Sequence, residues 1–323
     1  MDKSVDILLA TYNGQKYLRE QLDSILNQEY KNFNLIISDD FSTDSTRDIL
    51  KEYENKDERI KVIYQEKNIG SNANFEFLLT QVQSEYYMFS DQDDVWKRDK
   101  VRLSIEAIEN HGVDLVYTDL EVVDENLKII NNSFNRKMKL IRKQRRYQDY
   151  RLEYLYNCVT GCTMICRTSK LKDILPFPND KNILHDYWIA LITSLNGKIY
   201  YLDIPTIKYR QHIGNQVGTK RYTQRYETFD EKRDYIIDLK IDKFSRYLEN
   251  SKCFTSELNE LSKNGLSYFE NIRTKKYVNF KGWKIYNKIF KYETFGYKTF
   301  YFFFYNFPFI YRVGYNFYRI FKK

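Results

Sequence analysis

The stretch YYMFSDQDDVW, from Tyr86 to Trp96, joins a short apolar run to three carboxylates within four positions. Tyr86–Ser90 has the character of a buried strand. Asp91, Asp93 and Asp94 follow directly where that strand ends. Carboxylates this close repel one another unless a positive group holds them together. The stretch therefore predicts a strand whose carboxyl end carries a charged site.

Strand patterns and helix patterns alternate on both sides of this stretch. The predicted strands are Val5–Ala10, Asn34–Ser38, Ile60–Tyr64, Tyr86–Ser90 and Asp114–Thr118. The predicted helices between them are Lys16–Gln28, Thr43–Tyr53, Asn72–Val82 and Asp99–Asn110. Such alternation is typical of the α/β class, with a doubly wound, mostly parallel sheet flanked by helices.

Polar residues follow three of the predicted strands at the point where each one ends. They are Thr11, Tyr12 and Asn13 after the first strand, Asp39 and Asp40 after the second, and the three aspartates after the fourth. Ligands of such sheets bind beyond the carboxyl ends of the strands, so we expect these groups to meet in one crevice. Loops are polar in any case, but that explanation accounts for one such cluster more easily than for three.

The pair Asp91 and Asp93 is suited to a divalent cation. In an extended segment, two carboxylates two residues apart reach the same side, and hard oxygen ligands suit Mg²⁺ or Mn²⁺ with positions left for phosphate oxygens. The alternative is a solvated acidic turn or a cap for the following helix. Cys158, Cys162 and Cys166 do not predict a second metal site, because TGCTMIC reads as a buried strand in which thiols behave as small apolar groups.

The pattern is looser after about residue 120. It predicts a helix at His185–Leu195 and strands at Lys198–Leu202 and Thr206–Arg210. We expect one domain over residues 1–220, with a regular first half at 1–120 and a looser second half at 121–220. Residues 221–323 are expected to form a helical C-terminal region with a basic, aromatic tail.

The positive charge is concentrated in two segments of the chain. Its net charge is +8, yet residues 275–323 alone carry eleven Lys or Arg and one Glu, and Arg136–Arg151 is also strongly basic. Basic residues mixed with aromatics suit nucleic acid or an anionic membrane surface. With no signal peptide in its sequence and four cysteines, the protein is expected to be cytoplasmic, peripheral at the inner face of the membrane.

One helical face of the tail carries lysines and the other carries apolar residues. The lysines are Lys281, Lys284, Lys288 and Lys291, and the apolar residues are Trp283, Tyr286, Ile289 and Phe290. This pattern favours an interfacial segment whose apolar side enters a membrane surface. The alternative is a helical subdomain or a homodimer contact that buries the aromatic rings in protein.

Five separated motifs carry a resemblance to a known family. DILLATYNG, ISDDFSTDST, NIGSNANF, SDQDDVW and HDYWIAL, in this order, resemble glycosyltransferase family 2, which has the GT-A fold, over residues 4 to 215. SDQDDVW, HDYW and YRQHIGNQVG particularly resemble the bacterial rhamnosyltransferase-like branch, which builds surface polysaccharides from dTDP-rhamnose. The sequence departs from the family at Phe41, where glycine is frequent, at Arg98, where proline is frequent, and at His185, where an acid is frequent.

The resemblance implies that residues 1–120 are the nucleotide-sugar half of the domain and residues 121–220 the acceptor half. It also implies a role for each matching residue. The nucleotide-sugar would be bound by Thr11, Tyr12, Asn13, Asp40, Asn68, Gly70, Asn74 and Asp91, with Asp40 on the pyrimidine ring. Asp93 would bind the metal together with Asp91, and Asp186 would be the general base. For His212 a place on the metal and a structural role are both open, as are phosphate binding and an exposed surface charge for Arg210. Tyr187 and Trp188 are candidates for an apolar floor under the acceptor sugar, with core packing as the alternative.

The predicted activity is inverting, metal-dependent transfer of one sugar, with dTDP-rhamnose as the favoured donor and a glycan or lipid-linked oligosaccharide as acceptor. A UDP-sugar donor is the alternative within the family. A nucleotidyltransferase would need a Gly-rich loop with Arg after the first strand, and ATYNG offers neither. A non-catalytic protein that binds membrane or nucleic acid is the alternative from another class, and nucleic acid is not an expected partner of the enzyme.

Overall fold

The structure is a computed structural model that describes residues 3–137, 157–180, 183–212, 228–275, 280–290 and 295–307. Most of the basic cluster Arg136–Arg151 therefore lies outside the described residues, as do the end of YRQHIGNQVG and residues 308–323. The chain divides into two compact units, residues 1–218 and residues 219–323.

The first unit alternates strands and helices along its first half. Its strands are β1 Val5–Thr11, β2 Phe33–Asp39, β3 Ile60–Tyr64, β4 Tyr86–Ser90, β5 Val95–Trp96, β6 Leu115–Val123, β7 Ile129–Asn131, β8 Met164–Arg167 and β9 Ile199–Arg210. Its helices are α1 Leu18–Leu26, α2 Thr46–Glu54, α3 Ser71–Leu79, α4 Lys100–His111, α5 Phe134–Lys137, α6 Leu171–Ile174 and α7 His185–Asn196.

These strands form one mixed sheet in the order β3-β2-β1-β4-β8-β6-β9-β5, with β7 beside β6. The pairs β3–β2, β2–β1, β1–β4 and β6–β9 are parallel. β8 lies antiparallel between β4 and β6, and β5 lies antiparallel to β9. The predicted α/β class with a mostly parallel sheet and flanking helices is confirmed.

Two predictions about the strands are wrong. TGCTMIC was expected as a strand throughout, but Gly161–Thr163 forms a 3₁₀ helix and β8 begins only at Met164. Lys198–Leu202 and Thr206–Arg210 were expected as two strands, but Ile199–Arg210 is continuous. Its register against β6 shifts around Asp119, which lies opposite Pro205. Proline has no N–H to donate to a sheet, and a local irregularity lets a strand pass through such a residue without a break.

The core explains why the predicted helices form where they do. Val5, Ile7 and Leu9 of β1 are fully buried, and Leu18 and Leu22 of α1 pack in the same cluster. The helix thus buries the side that its apolar spacing predicts. Each such side chain contributes about 1.5–3 kcal/mol by burial, which anchors the strand ends where the polar residues sit.

The second unit contains four helices among the described residues. They are α8 Phe229–Glu249, α9 Ser256–Lys275, α10 Phe280–Ile289 and α11 Phe295–Asn306. α8 begins with a capping box, in which the Thr228 side chain accepts from the Glu231 N–H and the Glu231 carboxylate accepts from the Thr228 N–H.

The apolar face of α10 is buried in protein. Tyr286, Ile289 and Phe290 are at most 2 % exposed. The Tyr286 ring contacts Phe290 and Phe302 within the same unit, and Trp283 meets Phe302 edge to face at 4.5 Å. The neighbouring helices cover Tyr286, Ile289 and Phe290, which agrees with the alternative that this face packs in protein. Over the part of the chain that the structure describes, no helix has both the length and the apolarity to span a membrane.

Candidate active site

The loop after β1 is held by the side chain of Gln92. Its Oε1 accepts from the Tyr12 N–H at 2.9 Å and its Nε2 donates to the Tyr12 carbonyl at 3.0 Å. A Cβ at Gly14 would come within 2.3 Å of the same Oε1, so a larger residue there would displace the Gln92 side chain from this position. The middle residue of the Asp-Gln-Asp motif thus joins the acidic segment to the first loop.

The loops after β1 and β2 are joined to each other as well. The Asp40 N–H donates to the Thr11 carbonyl at 2.8 Å, and the Asn13 N–H donates to Ser42 Oγ at 2.9 Å. Thr11 is buried and donates its hydroxyl to Asp39 Oδ1. Two of the three polar clusters predicted from the strand ends therefore meet.

Asp40 fixes the loop that precedes α3. Its Oδ1 accepts from the Ile69 N–H at 2.7 Å and its Oδ2 accepts from the Gly70 N–H at 2.9 Å. Gly70 has φ +85°, which glycine adopts without a steric penalty. The Asn68 amide donates to the Asp40 carbonyl. Asp40 is only 4 % exposed, and both of its carboxylate oxygens accept hydrogen bonds inside the protein.

Asn74 lies one turn into α3 and is 1 % exposed. Its Nδ2 donates to the Ser38 carbonyl at 3.0 Å, which ties the helix to the end of β2. Asn74 therefore packs inside the protein and does not line an open surface.

The acidic segment meets the end of β9. His212 Nε2 lies 2.8 Å from Asp93 Oδ2, and the His212 ring lies 4.9 Å from the Tyr17 ring. The antiparallel pairing of β5 with β9 brings these groups together, because Val95 is opposite Lys208. Two of the three predicted metal ligands are therefore adjacent.

Arg210 is part of the same corner but is buried, with 1 % exposure. Its Nε donates to the Asp93 carbonyl at 2.9 Å and its Nη2 pairs with the Glu20 carboxylate. The guanidinium also lies over the Tyr17 ring at 4.4 Å. The expected alternatives were a phosphate partner and an exposed charge, and the buried geometry differs from both.

Asp91 and Asp94 form a second acidic group with Cys162. One ligand atom from each of the three lies within 4.8 Å of the others. Burial raises the pKa of Asp91 to about 7, with further increases from the charges of Asp93 and Asp186. Burial, followed by the neighbouring aspartates, raises the pKa of Asp94 well above its usual range. These closely spaced carboxylates would favour the binding of a cation.

The residues fit a divalent cation of the hard type. Oxygen donors from Asp91, Asp93 and Asp94 suit Mg²⁺ or Mn²⁺. Asp94 Oδ2 is buried and has no hydrogen-bond partner among the described residues. The Cys162 thiol is a weak donor beside these carboxylates, because burial raises its pKa well above the ordinary value. Its presence in this group was not expected from the sequence.

Lys100 is a buried cation that the sequence reasoning missed. It is fully buried, its Nζ lies 4.6 Å over the Trp96 ring, and no hydrogen-bond partner for it exists among the described residues. Burial lowers its pKa to about 8, while Cys162 and Asp94 oppose that shift. Lys100 shares the buried stripe of α4 with Ser104 and Ile108, and that spacing is the signal that could have shown it.

Asp186 lies in the first turn of α7. Its Oδ1 accepts from the Tyr187 N–H at 2.6 Å and its Oδ2 from the Gly161 N–H at 3.3 Å. Burial raises the pKa of Asp186 to about 6. Its charge acts on Asp91, so the predicted base and the predicted metal ligand belong to one electrostatic site.

His185, the residue before this aspartate, packs against an aromatic ring. Its ring stacks on Phe75 at 4.1 Å. Burial lowers the pKa of His185 to about 3, which keeps the imidazole neutral. The departure from the family at this position is therefore accommodated by packing.

Tyr187 and Trp188 do not form an exposed floor. They are 8 % and 2 % exposed, and the Trp188 indole donates to the Ile174 carbonyl at 2.8 Å. Their acceptor-binding role, predicted with core packing as the alternative, is not supported for Trp188, because an indole fixed inside the protein cannot present a face to a sugar.

A cleft of about 330 Å³ opens beside the acidic corner. Its walls come from the loop after β1, from the acidic segment, from the β6–β7 connection and from the end of β9: Asn13, Gly14, Lys16, Tyr17, Gln92, Asp93, Glu125 and His212. Lys16 and Glu125 form an exposed ion pair of 2.7 Å at its edge. The volume is at the lower end of the range for small-molecule sites.

Comparison with known proteins decides the family. The profile described as "Glycosyl transferase family 2" matches residues 6–175. The chain belongs to glycosyltransferase family 2. This enzyme is 30 % identical over 264 residues to the "dTDP-rhamnosyl transferase RfbG" of Shigella flexneri, an alignment that covers 77 % of the chain and 88 % of that protein.

Solved structures support the fold of the glycosyltransferase. S. aureus TarS 1-349 in complex with UDP-GlcNAc superimposes with a TM-score of 0.57 at 20 % identity, covering 88 % of this chain and 80 % of that one. The mannosyltransferase PcManGT from Pyrobaculum calidifontis, in complex with GDP-Man and Mn²⁺, gives 0.56 at 12 % identity, covering 92 % and 77 %. At these identities the likeness shows the GT-A fold.

Proposed function

We propose that this family 2 glycosyltransferase is inverting and metal-dependent, and that it transfers one rhamnose from dTDP-rhamnose to a glycan or lipid-linked acceptor in bacterial surface polysaccharide synthesis. The observation that carries the chemistry is the contact between Asp93 and His212 at the cleft, together with the charges of Asp93 and Asp186 that act on the neighbouring Asp91. The donor rests on the similarity to RfbG.

Asp91, Asp93 and His212 would hold Mg²⁺ or Mn²⁺. The Asp93 side chain is 17 % exposed and that of His212 is 15 % exposed, so both are accessible from the cleft. A bound divalent cation neutralises charge that develops on a leaving diphosphate. Arg210 then acts as a positioning residue, because its guanidinium holds the Asp93 carbonyl while its N–H bonds Asp94 Oδ1.

Asp186 would accept the proton from the acceptor hydroxyl. A base is most effective when its pKa lies near the working pH, and a pKa of about 6 leaves this carboxylate ionised at neutral pH yet basic enough to take a proton. Attack of the acceptor oxygen on the face opposite the leaving diphosphate inverts the anomeric carbon.

The donor pocket is assigned to two layers of residues. Tyr12 and Asn13 would contact the nucleotide directly, because Tyr12 is 44 % exposed and Asn13 lines the cleft. Behind them, Thr11, Asp40 and Asn74 are buried and hold the loops. Asn68 and Gly70 complete the loop on which Asp40 depends.

Residues 1–220 would be the catalytic domain, and residues 221–323 the region that brings it to the cytoplasmic face of the membrane. The net charge of the tail supports this, and Phe300 and Phe303 on α11 are 47 % and 37 % exposed. Basic and aromatic side chains together favour binding to anionic lipid. A homodimer through the same region is the alternative partner.

The function is tested by incubating the protein with dTDP-rhamnose, UDP-GlcNAc, UDP-glucose or GDP-mannose, with Mn²⁺ or Mg²⁺ and a lipid-linked glycan acceptor. Release of dTDP and a product with inverted configuration are expected. The Asp93→Asn variant is the control for background hydrolysis. If only a UDP-sugar is turned over, the donor is a UDP-sugar and not dTDP-rhamnose. If the folded protein turns over none of the donors, the proposed activity is contradicted.

A further inference from the structure

Phe41 has an unusual backbone conformation for its residue type. Its φ is +64°, in the left-handed region that bulky side chains rarely adopt. Its side chain is also 44 % exposed, although an aromatic ring gains more by burial. Strain of this kind persists where the surrounding structure enforces it, and it occurs preferentially at ligand-binding sites.

The ring of Phe41 is fixed on one side by Arg47. The Arg47 guanidinium lies 5.3 Å from the centre of the Phe41 ring and 5.4 Å from that of Tyr64. Arg47 is itself held by the buried Asp39, at 2.7 Å, and by the Gln65 carbonyl, at 3.1 Å. The guanidinium that contacts the Phe41 ring is therefore fixed by an ion pair with the last residue of β2.

Phe41 also lies beside the residues that join the first two loops. It follows Asp40, whose N–H bonds the Thr11 carbonyl, and precedes Ser42, whose Oγ accepts from the Asn13 N–H. Ser42 and Asp40 are buried, so Phe41 is the side chain of this turn that reaches solvent between them. Its neighbour across the junction, Tyr12, is equally exposed.

We propose that Phe41 supplies an aromatic face on which the base of the donor nucleotide stacks. The inference rests on the proposed function, since it needs a nucleoside diphosphate in this crevice. Stacking on a ring tolerates any base, so Phe41 adds affinity for the nucleoside part, while selection among bases falls to hydrogen-bonding groups nearby. Phe41 is then a specificity element for nucleotides over simple diphosphates.

The experiment measures binding of dTDP, UDP and inorganic pyrophosphate, each with Mn²⁺, by calorimetry. In Phe41→Gly the Kd for both nucleotides should rise by about 5- to 100-fold, the loss typical of one base–aromatic stack. The Kd for pyrophosphate should not change, because it has no base. Phe41→Tyr, which keeps the ring, should bind nucleotides as the wild type does.

Two further measurements separate stacking from a structural role. The Tm of Phe41→Gly should equal or exceed that of the wild type, since glycine adopts a positive φ without strain. Leu127→Gly is the matched control, because Leu127 also has a positive φ, of +62°, and should leave every Kd unchanged.

The outcomes distinguish this inference from the function on which it rests. If the wild type binds dTDP or UDP and Phe41→Gly binds them equally well, stacking is overturned and the proposed function stands. A parallel loss of pyrophosphate affinity in Phe41→Gly also overturns it, because the whole site is then disturbed. If the wild type binds neither nucleotide, the proposed donor class fails and the inference fails with it.

Discussion

His212 Nε2 lies 2.8 Å from Asp93 Oδ2, although the two residues are 119 positions apart in the chain. The antiparallel strand pair β5–β9 creates this contact, because Asp93 lies just before the start of β5 and His212 just after the end of β9. A histidine beside a carboxylate at an open cleft is a suitable ligand pair for Mn²⁺, and each residue fixes the orientation of the other.

Replacing His212 by alanine should weaken Mn²⁺ binding by about 10- to 100-fold, the usual effect of losing a group that ligates or orients at a metal site. Electron paramagnetic resonance of free Mn²⁺ measures this. His111→Ala is the control, since His111 is the last residue of α4 and stacks on Tyr200, near the start of β9, at 3.8 Å. Equal Mn²⁺ affinity in wild type and His212→Ala would remove this histidine from the metal site.

Asp186→Asn should lower kcat by about 10²- to 10⁴-fold, the contribution of a positioned general base. The Kd for dTDP should stay the same, because Asp186 bonds the N–H groups of Tyr187 and Gly161 rather than the donor pocket. Asp173→Asn changes an exposed carboxylate with no assigned role and serves as the control. A kcat close to that of the wild type would rule out Asp186 as the base.

The pH dependence of kcat should report the same carboxylate. Burial raises the pKa of Asp186 to about 6, and only the ionised form accepts a proton. The rate should therefore be constant above this pKa and fall about tenfold per pH unit below it. The acidic limb should be absent from the residual activity of Asp186→Asn, and its persistence there would assign it to another group.

When the pH falls from about 8 to about 6, the unfolding free energy of the metal-free wild type should increase relative to that of the Asp91→Asn variant. The folded pKa of Asp91, about 7, lies above its unfolded value of 3.8, so the native state binds the proton first and stability is lost as pH rises through 7. The difference in unfolding free energy should be about 1 kcal/mol over this range. Urea denaturation of both proteins measures it, and identical pH slopes would contradict the raised pKa.

The sequence was sufficient for the parts of the site that depend on local pattern. The apolar runs ending at Ala10, Ser38 and Ser90 predict parallel strands, and a rule about strand ends then predicts that their polar neighbours meet in one crevice. Asp186 was found through family resemblance, and its place in the first turn of a helix agrees with the predicted helix His185–Leu195.

Other features of the site depend on contacts between distant segments of the chain and could not be predicted from the sequence. Cys162 joins the carboxylates because β8 is inserted antiparallel between β4 and β6. The buried Arg210 guanidinium donates to the carboxylate of Glu20, which is 190 residues away in the chain. The apolar side of α10 has the pattern of a membrane-surface helix, and only the helices packed on it decide that Tyr286 is buried. Periodicity shows that a face is apolar but not what covers it.

The most direct test of the metal-bound diphosphate is a titration of Mn²⁺ followed by electron paramagnetic resonance, with and without dTDP, for wild type and Asp93→Asn. We predict that dTDP tightens Mn²⁺ binding to the wild type, and that Mn²⁺ tightens dTDP binding by the same factor, as linkage requires. In Asp93→Asn this coupling should be lost while the protein remains folded. Equal coupling in both proteins, or none in the wild type, would contradict the central role of the acidic corner.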